Sequence, residues 1–452
     1  MTHAATPHTV EPKTLRRVIV AASVGNFVEW FDFALYGFFA TLIAELFFPS
    51  ESAGTALLKT FAVFAVAFAF RPLGGVFFGQ LGDRIGRKRT LALTIFIMAG
   101  ATTLIGLLPT YATAGIWAPL LLTIIRCAQG FSAGGEYAGA CAYVMEHAPH
   151  DKRGRLGSFV PVSTFLAFAS AAMLAYLFNT ALSAEAMAAW GWRVPFIIAA
   201  PLGLIGLYLR MRLDETPAFQ ALEENHQVPH SPLRETLRLQ GRSMCKLGAF
   251  ISLTALSFYT FTTYFSTYLQ QAGGFSRTAA LLISLITLFF AAGACPVVGV
   301  LTDRIGRRAT MSCAVGVLAI GIYPALMLAE SGVFAMGLLG SLLLGFGAVL
   351  CNVVTAPLLS EIFPTRSRYT ASAITYNVAY TIFGGTAPFI ATWLIESTGN
   401  NMAPAVYLIA VAALGMVGAL LLPETSKISL SEAGEATGRD AFARTELRPG
   451  SV

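Results

Sequence analysis

Charge is what this sequence has least of. Only 12% of its 452 residues are Asp, Glu, Lys or Arg, against 56% hydrophobic, whereas a water-soluble domain carries about 25% charged residues. So few charges cannot cover the outside of a water-exposed fold, which excludes a soluble enzyme and predicts an integral membrane protein. Cysteine is no more informative for chemistry. The six cysteines form no CxxC pair and all lie in apolar stretches, so they read as small buried hydrophobes. There is no HExxH, GxSxG or P-loop pattern, and no acid/His/Ser constellation within one segment, which argues against a membrane enzyme. His147 and His150 stand in a basic loop without ligand spacing, so no metal is expected. The polar residues 1–17 precede no short apolar core with a small-residue cleavage site, and a removable signal peptide is not expected.

What is present is apolar length. A helix needs about 20 apolar residues to cross the hydrocarbon core. Such runs occur at 18–47, 56–81, 90–109, 117–146, 156–181 and 192–212, then at 246–271, 278–301, 309–329, 332–361, 368–396 and 403–422. The predicted fold is all-α and integral to the membrane, with twelve transmembrane helices in two six-helix bundles, residues 18–212 and 246–422. Residues 1–17, 213–245 and 423–452 are an N-terminal tail, a central loop and a C-terminal tail. Basic residues agree with this threading. Arg84, Arg87, Lys88 and Arg89, then Lys152, Arg153 and Arg155, then Arg304, Arg307 and Arg308, then Arg366 and Arg368 follow the even-numbered helices. The opposite loops hold little beyond Lys59 and Arg277. The positive-inside bias puts both termini in the cytoplasm and the protein in the cell inner membrane. It also accounts for the net charge of +6, which needs no nucleic-acid partner.

The halves repeat. "GQLGDRIGRKR" (79–89) returns as "GVLTDRIGRRA" (299–309), "MEHAPHDKRGR" (145–155) is echoed by "SEIFPTRSR" (360–368), and "LDETP" (213–217) by "LPETS" (422–426). Glu146 and Glu361 thereby correspond. A two-fold internal repeat with a site between its halves is the architecture of a secondary transporter. The Gly79–Lys88 loop, repeated at Gly299–Arg308, resembles the loop signature of the major facilitator superfamily, and "RCAQGFSAG" (126–134) resembles its fourth-helix motif. "GNFVEWFDF", "RPLGGVFFG", "QGFSAGGEY" and "WGWRVPF" together resemble the metabolite–proton symporter family, which holds α-ketoglutarate permeases, citrate–proton symporters and proline/betaine transporters. "SFYTFTT" resembles the α-ketoglutarate permease in particular. Some osmosensing members end in a long heptad-patterned tail, whereas residues 426–452 show no such periodicity.

Chemistry concentrates in few residues. On the first helix, Asn26, Glu29, Asp32 and Tyr36 share one face, with Trp30 beside them. An ionised acid in mid-membrane costs at least ~2.5 kcal/mol, so Glu29 and Asp32 are either a packing ion pair or a proton site. A carboxylate kept from water can take up and release protons in the working range. Arg71 on the second helix and Arg126 on the fourth either neutralise these acids or hold a substrate carboxylate, for which Arg is the best-shaped donor. Gln129 and Glu136 continue the Arg126 face, Gln129 as a substrate contact and Glu136 as a further proton candidate. The second half instead offers neutral hydrogen-bonders and aromatic walls, namely Tyr259, Tyr264, Asn352, Tyr376 and Asn377. Asp83, Arg84, Arg87 and Glu146, with their repeats Asp303, Arg304, Arg307 and Glu361, are the expected gating latch.

The reading that follows is a proton-coupled symporter that works by alternating access. It would import a small organic acid, a di- or tricarboxylate such as α-ketoglutarate or citrate. The second reading is a carrier of a zwitterionic osmolyte such as proline or betaine, whose carboxylate would use the same arginine while aromatic rings hold its cation. Either way the proton gradient is the driving force, no cofactor is expected, and a monomer suffices.

Overall fold

A computed structural model describes residues 12–50, 52–85, 87–211, 233–364, 368–428 and 430, without the side chains of 12–14, 21, 79–80, 82–85, 87–91, 209–210 and 233–235. With no water available in lipid, each backbone N–H and C=O must be paired inside its own segment, and apolar runs of this length close into helices. Among the described residues, twelve helical columns result. The first half comprises α1 (Pro12–Phe38, continued after a break as Ala40–Phe47), α2 (Ala53–Ala69 and Arg71–Ile85), α3 (Arg87–Leu107), α4 (Trp117–Ser132 and Glu136–His147), α5 (Phe159–Ala181) and α6 (Arg193–Met211). The second comprises α7 (Leu233–Tyr259 and Phe265–Gln271), α8 (Arg277–Ile305), α9 (Arg307–Glu330), α10 (Phe334–Glu361), α11 (Arg368–Ala379 and Ala387–Thr398) and α12 (Ala403–Leu421).

Among the described residues, nine helices are long and apolar enough to span by themselves, and the bent pair Ala184–Gly191 with Arg193–Tyr208 adds a tenth. The remaining columns have specific reasons for falling short. The apolar part of α3 is only Ala92–Leu107. In α4 a 3₁₀ turn at Ala133–Gly135 interrupts the helix between Arg126 and Glu136. One expected boundary moves. The stretch read as loop up to residue 245 is helical from Leu233, because "LRETLRLQGR" is too polar for lipid yet rich in good helix formers.

Two π-helical segments interrupt the second half, Thr260–Tyr264 within α7 and Tyr380–Gly384 within α11. Such widened turns recur at functional sites. Across the interface, α5 packs along α8 and α2 against α11.

Among the described residues the two halves touch at both ends. At the end where α1 begins and α12 finishes, called the terminal end below, Gly154 and Gly299 meet backbone to backbone, and a Cβ on either would stand 2.7 Å from the other's carbonyl oxygen. At the opposite end Arg277 pairs with Glu45 at 3.1 Å, both partly exposed, and Asn179 donates to Thr278 at 2.8 Å.

Candidate functional site

The opening acids of α1 each face a different arginine. Glu29 pairs with Arg71 at 3.2 Å, both buried. Asp32, also buried, lies beside Thr102 and in the field of Arg126 and Glu136. Phe33 separates the two arginines, with each guanidinium carbon 5.2 Å from its ring centre. Trp30 and Phe68 also flank Arg71, at 5.6 and 5.2 Å. Tyr36 and Phe64 flank Arg126, at 4.3 and 5.3 Å. The aromatic faces carry negative potential toward these cations. They hold the arginines without taking up their N–H groups.

Those N–H groups are only partly used. Arg126 donates to Gln129 at 2.7 Å, and Gln129 in turn donates to Thr102. Nε and Nη2 of Arg126, Nε and Nη1 of Arg71, and Oδ2 of Asp32 are buried with no hydrogen-bond partner. One Nη of Arg71 is therefore taken by Glu29, while Nε and Nη2 of Arg126 leave one whole edge of that guanidinium unpartnered. Glu136 accepts from Thr94 at 2.8 Å.

Asn26 and Trp30 are structurally tied. Trp30 Nε1 donates to Asn26 Oδ1 at 2.9 Å, and Asn26 donates to Ser163 at 2.9 Å and Thr164 at 2.7 Å on α5. Tyr36 donates to the Thr60 carbonyl at 2.9 Å. From the second half, Tyr259 and Tyr380 close on Trp30, at 6.3 and 6.1 Å respectively from Trp30 and from each other's ring. Tyr376 stacks on Tyr380 at 4.0 Å and on Tyr137 at 4.5 Å. Asn352 accepts from Tyr380 at 3.3 Å. Asn377 donates across the interface to the Gly134 carbonyl, freed by the 3₁₀ turn of α4. Tyr264 stands apart from this cluster, packed on Phe61 and Tyr268.

At the terminal end the second copy of the repeated loop is fully described. Arg307 grips Glu361 through two nitrogens, at 3.0 and 3.1 Å, and Asp303 at 2.9 Å. Asp303 also accepts from the backbone N–H of Gly154 at 2.7 Å and Arg155 at 2.8 Å in the first half. Arg304 is exposed. Each half's arginine reaches the other half's glutamate, Arg153 to Glu361 at 3.7 Å and Arg368 to Glu146 at 3.6 Å. The side chains of Asp83, Arg84 and Arg87 lie outside the described residues.

Several residues of this site escaped the sequence reading. Thr94 and Thr102 stand eight apart on one face of α3, a legible spacing of polar residues in an apolar helix. The seven-residue step from Glu146 to Arg153 recurs from Glu361 to Arg368 and could have marked the crossed pairs. Phe33, Phe64 and Phe68 carried no such signal, since phenylalanine is common throughout the chain.

Comparison with known proteins decides the family. Residues 18–241 match the family described as "Sugar (and other) transporter", and residues 276–449 match "Major Facilitator Superfamily". The chain is 40% identical to the glycine betaine/proline/ectoine/pipecolic acid transporter of Dickeya dadantii, over 97% of this chain and 89% of that one. It is also 40% identical to the proline/betaine transporter of Escherichia coli K12, over 94% and 87%. The chain belongs to the major facilitator superfamily. The fold of this facilitator agrees with a proton:xylose symporter structure at a TM-score of 0.74 and 18% identity, covering 95% of this chain and all of that one. A partially occluded inward-open xylose transporter of Escherichia coli matches at 0.69 and 19%. The protein is thus a multi-pass membrane transporter and not an enzyme.

These relatives overturn the organic-acid reading. The likeness to an α-ketoglutarate permease rested on two short runs, "SFYTFTT" and "TIFGGTAPFI", whereas identity to carriers named for proline and betaine extends over nearly the whole facilitator. With one Nη of Arg71 on Glu29, Arg126 keeps a complete edge, Nε and Nη2 together, unpartnered, while Arg71 keeps only Nε and Nη1.

Proposed function

We propose that this transporter is a proton-coupled importer of a small zwitterionic osmolyte of the proline or betaine kind, within the metabolite–proton symporter family. The observation that carries the reading is the unpartnered Nε–Nη2 edge of Arg126 among aromatic rings, taken with the names of the relatives. The substrate carboxylate goes to Arg126, with Gln129 steadying it. Its cation goes to the rings of Trp30 and Tyr380, where a positive group is attracted by the π-system, with Tyr376 stacked behind Tyr380. Asp32 is the proton carrier, with Glu29 and Glu136 setting its field. Asn26, Tyr36, Asn352 and Asn377 shape the chamber.

The coupling works by position. A proton on Asp32 removes a negative charge from the field of Arg126, so that the arginine attracts the substrate carboxylate without competition and proton and substrate load together. Opening toward the cytoplasm, where both termini lie in this scheme, requires the Arg307–Glu361–Asp303 cluster and the crossed Arg153 and Arg368 pairs to part. No cofactor takes part, and one chain suffices.

Counterflow in proteoliposomes tests the reading. Preloaded proline or betaine should exchange against labelled proline or betaine, and α-ketoglutarate and citrate should not. Exchange of the di- and tricarboxylates alone would sink it.

A further inference from the structure

One side chain of the second half packs among the rings around the two arginines with its polar end unused. Tyr259 is wholly buried. Its ring touches Trp30, Phe64, Phe68, Phe258 and Tyr380 at centroid distances of 5.1–6.3 Å. Its hydroxyl has no hydrogen-bond partner. It lies in the field of both Arg71 and Arg126, whose unpartnered nitrogens are donors only. A buried hydroxyl left unpaired costs about 1–3 kcal/mol. A packing role needs only the ring, so phenylalanine would serve better here. What the hydroxyl and the free guanidinium edges have in common is the want of an acceptor.

We infer that Tyr259 is the second half's ligand for the substrate carboxylate. Arg126 holds the anion from the first half, and the Tyr259 hydroxyl donates to it from the second, so the halves complete their closure around a carboxylate. Tyr259 directly precedes the π-helical turn Thr260–Tyr264, which places this ligand at the irregular point of α7. This assignment rests on the zwitterion reading. It adds to that reading the group by which the second half recognises the substrate.

The test is Tyr259→Phe in the purified full-length transporter, with labelled proline and glycine betaine as probes. The ring contacts are kept and no internal hydrogen bond is lost, so the substrate-free variant should melt at the wild-type temperature or slightly above. Binding should weaken about ten- to hundredfold, the loss expected for a hydrogen bond to a charged group. Tyr380→Phe serves as the contrast, because its hydroxyl already donates to Asn352 and its loss should lower the melting temperature of the empty protein. Wild-type affinity in Tyr259→Phe overturns the inference. So does a lower melting temperature with unchanged affinity per folded molecule, which would make the hydroxyl structural. Failure of the substrate reading shows separately, as a wild-type protein that binds neither probe.

Discussion

The two halves repeat in sequence but divide the chemistry of the interior unequally. The carboxylates and guanidinia of the chamber all come from the first half, from α1, α2 and α4. The second half meets them with phenols, amides and hydroxyls. Among the described residues, the fully buried ion pair at the terminal end reverses this, since Arg307 and Glu361 both belong to the second half. A buried charge is costly unless paired and hydrogen-bonded, so duplicating the chamber's charges would add desolvation without adding a ligand. Neutral hydrogen bonds have a net worth of only about 0.5–1.5 kcal/mol, and a surface built from them can part and re-form as the halves move. The contrast is between a half that keeps fixed charges and a half that closes over them.

Substitutions can break this division, and the largest effect should come from its charged side. Arg126→Ala removes the free guanidinium edge and leaves Asp32 without its cation. Proline binding should weaken by about a hundredfold or more, and both uphill uptake and counterflow should vanish. Retained binding would move the carboxylate site out of the first half. Asp32→Asn comes next and should separate two assays. Accumulation driven by a pH gradient should be lost, while counterflow, which needs only binding and the conformational swing, should remain measurable. Accumulation at the wild-type level would return Asp32 to a structural role and make Glu136 the next candidate.

The terminal end allows a matched pair of substitutions. Glu361→Ala strips a buried partner from Arg307 and should destabilise the fold by about 3–5 kcal/mol. The corresponding Glu146→Ala, whose side chain is 40% exposed, should cost no more than about 1 kcal/mol. Equal losses in melting temperature would show that the two halves share the latch evenly.

The smallest effect concerns pH at the same end. Burial pushes the Glu424 carboxyl up, but backbone N–H groups of Arg307, Arg308 and Ser426 outweigh it and hold the group below its ordinary value. A carboxylate depressed in the folded state contributes stability that is complete above its unfolded pKa of about 4.3 and is lost as pH falls through the lower folded value. Melting temperatures measured from pH 6 downward should therefore fall more in the wild type than in Glu424→Gln.

The sequence by itself determined the twelve crossings, because lipid thickness imposes a length that hydropathy records directly. It determined them even for α4, whose Arg126, Glu136 and 3₁₀ turn spoil a simple apolar count. The doubled loop and its fourth-helix companion were equally legible, being local strings. The face carrying Asn26, Glu29, Asp32 and Tyr36 followed from helical spacing alone. What periodicity cannot carry is the rotation of one helix against another, or which of eleven other helices that face will meet. Only the tertiary structure decided that Glu29 takes Arg71 and leaves Arg126 an open edge, that Phe33 stands between the two cations, and that Arg153 and Arg368 cross to the opposite half. Those pairings depend on packing between segments tens to hundreds of residues apart.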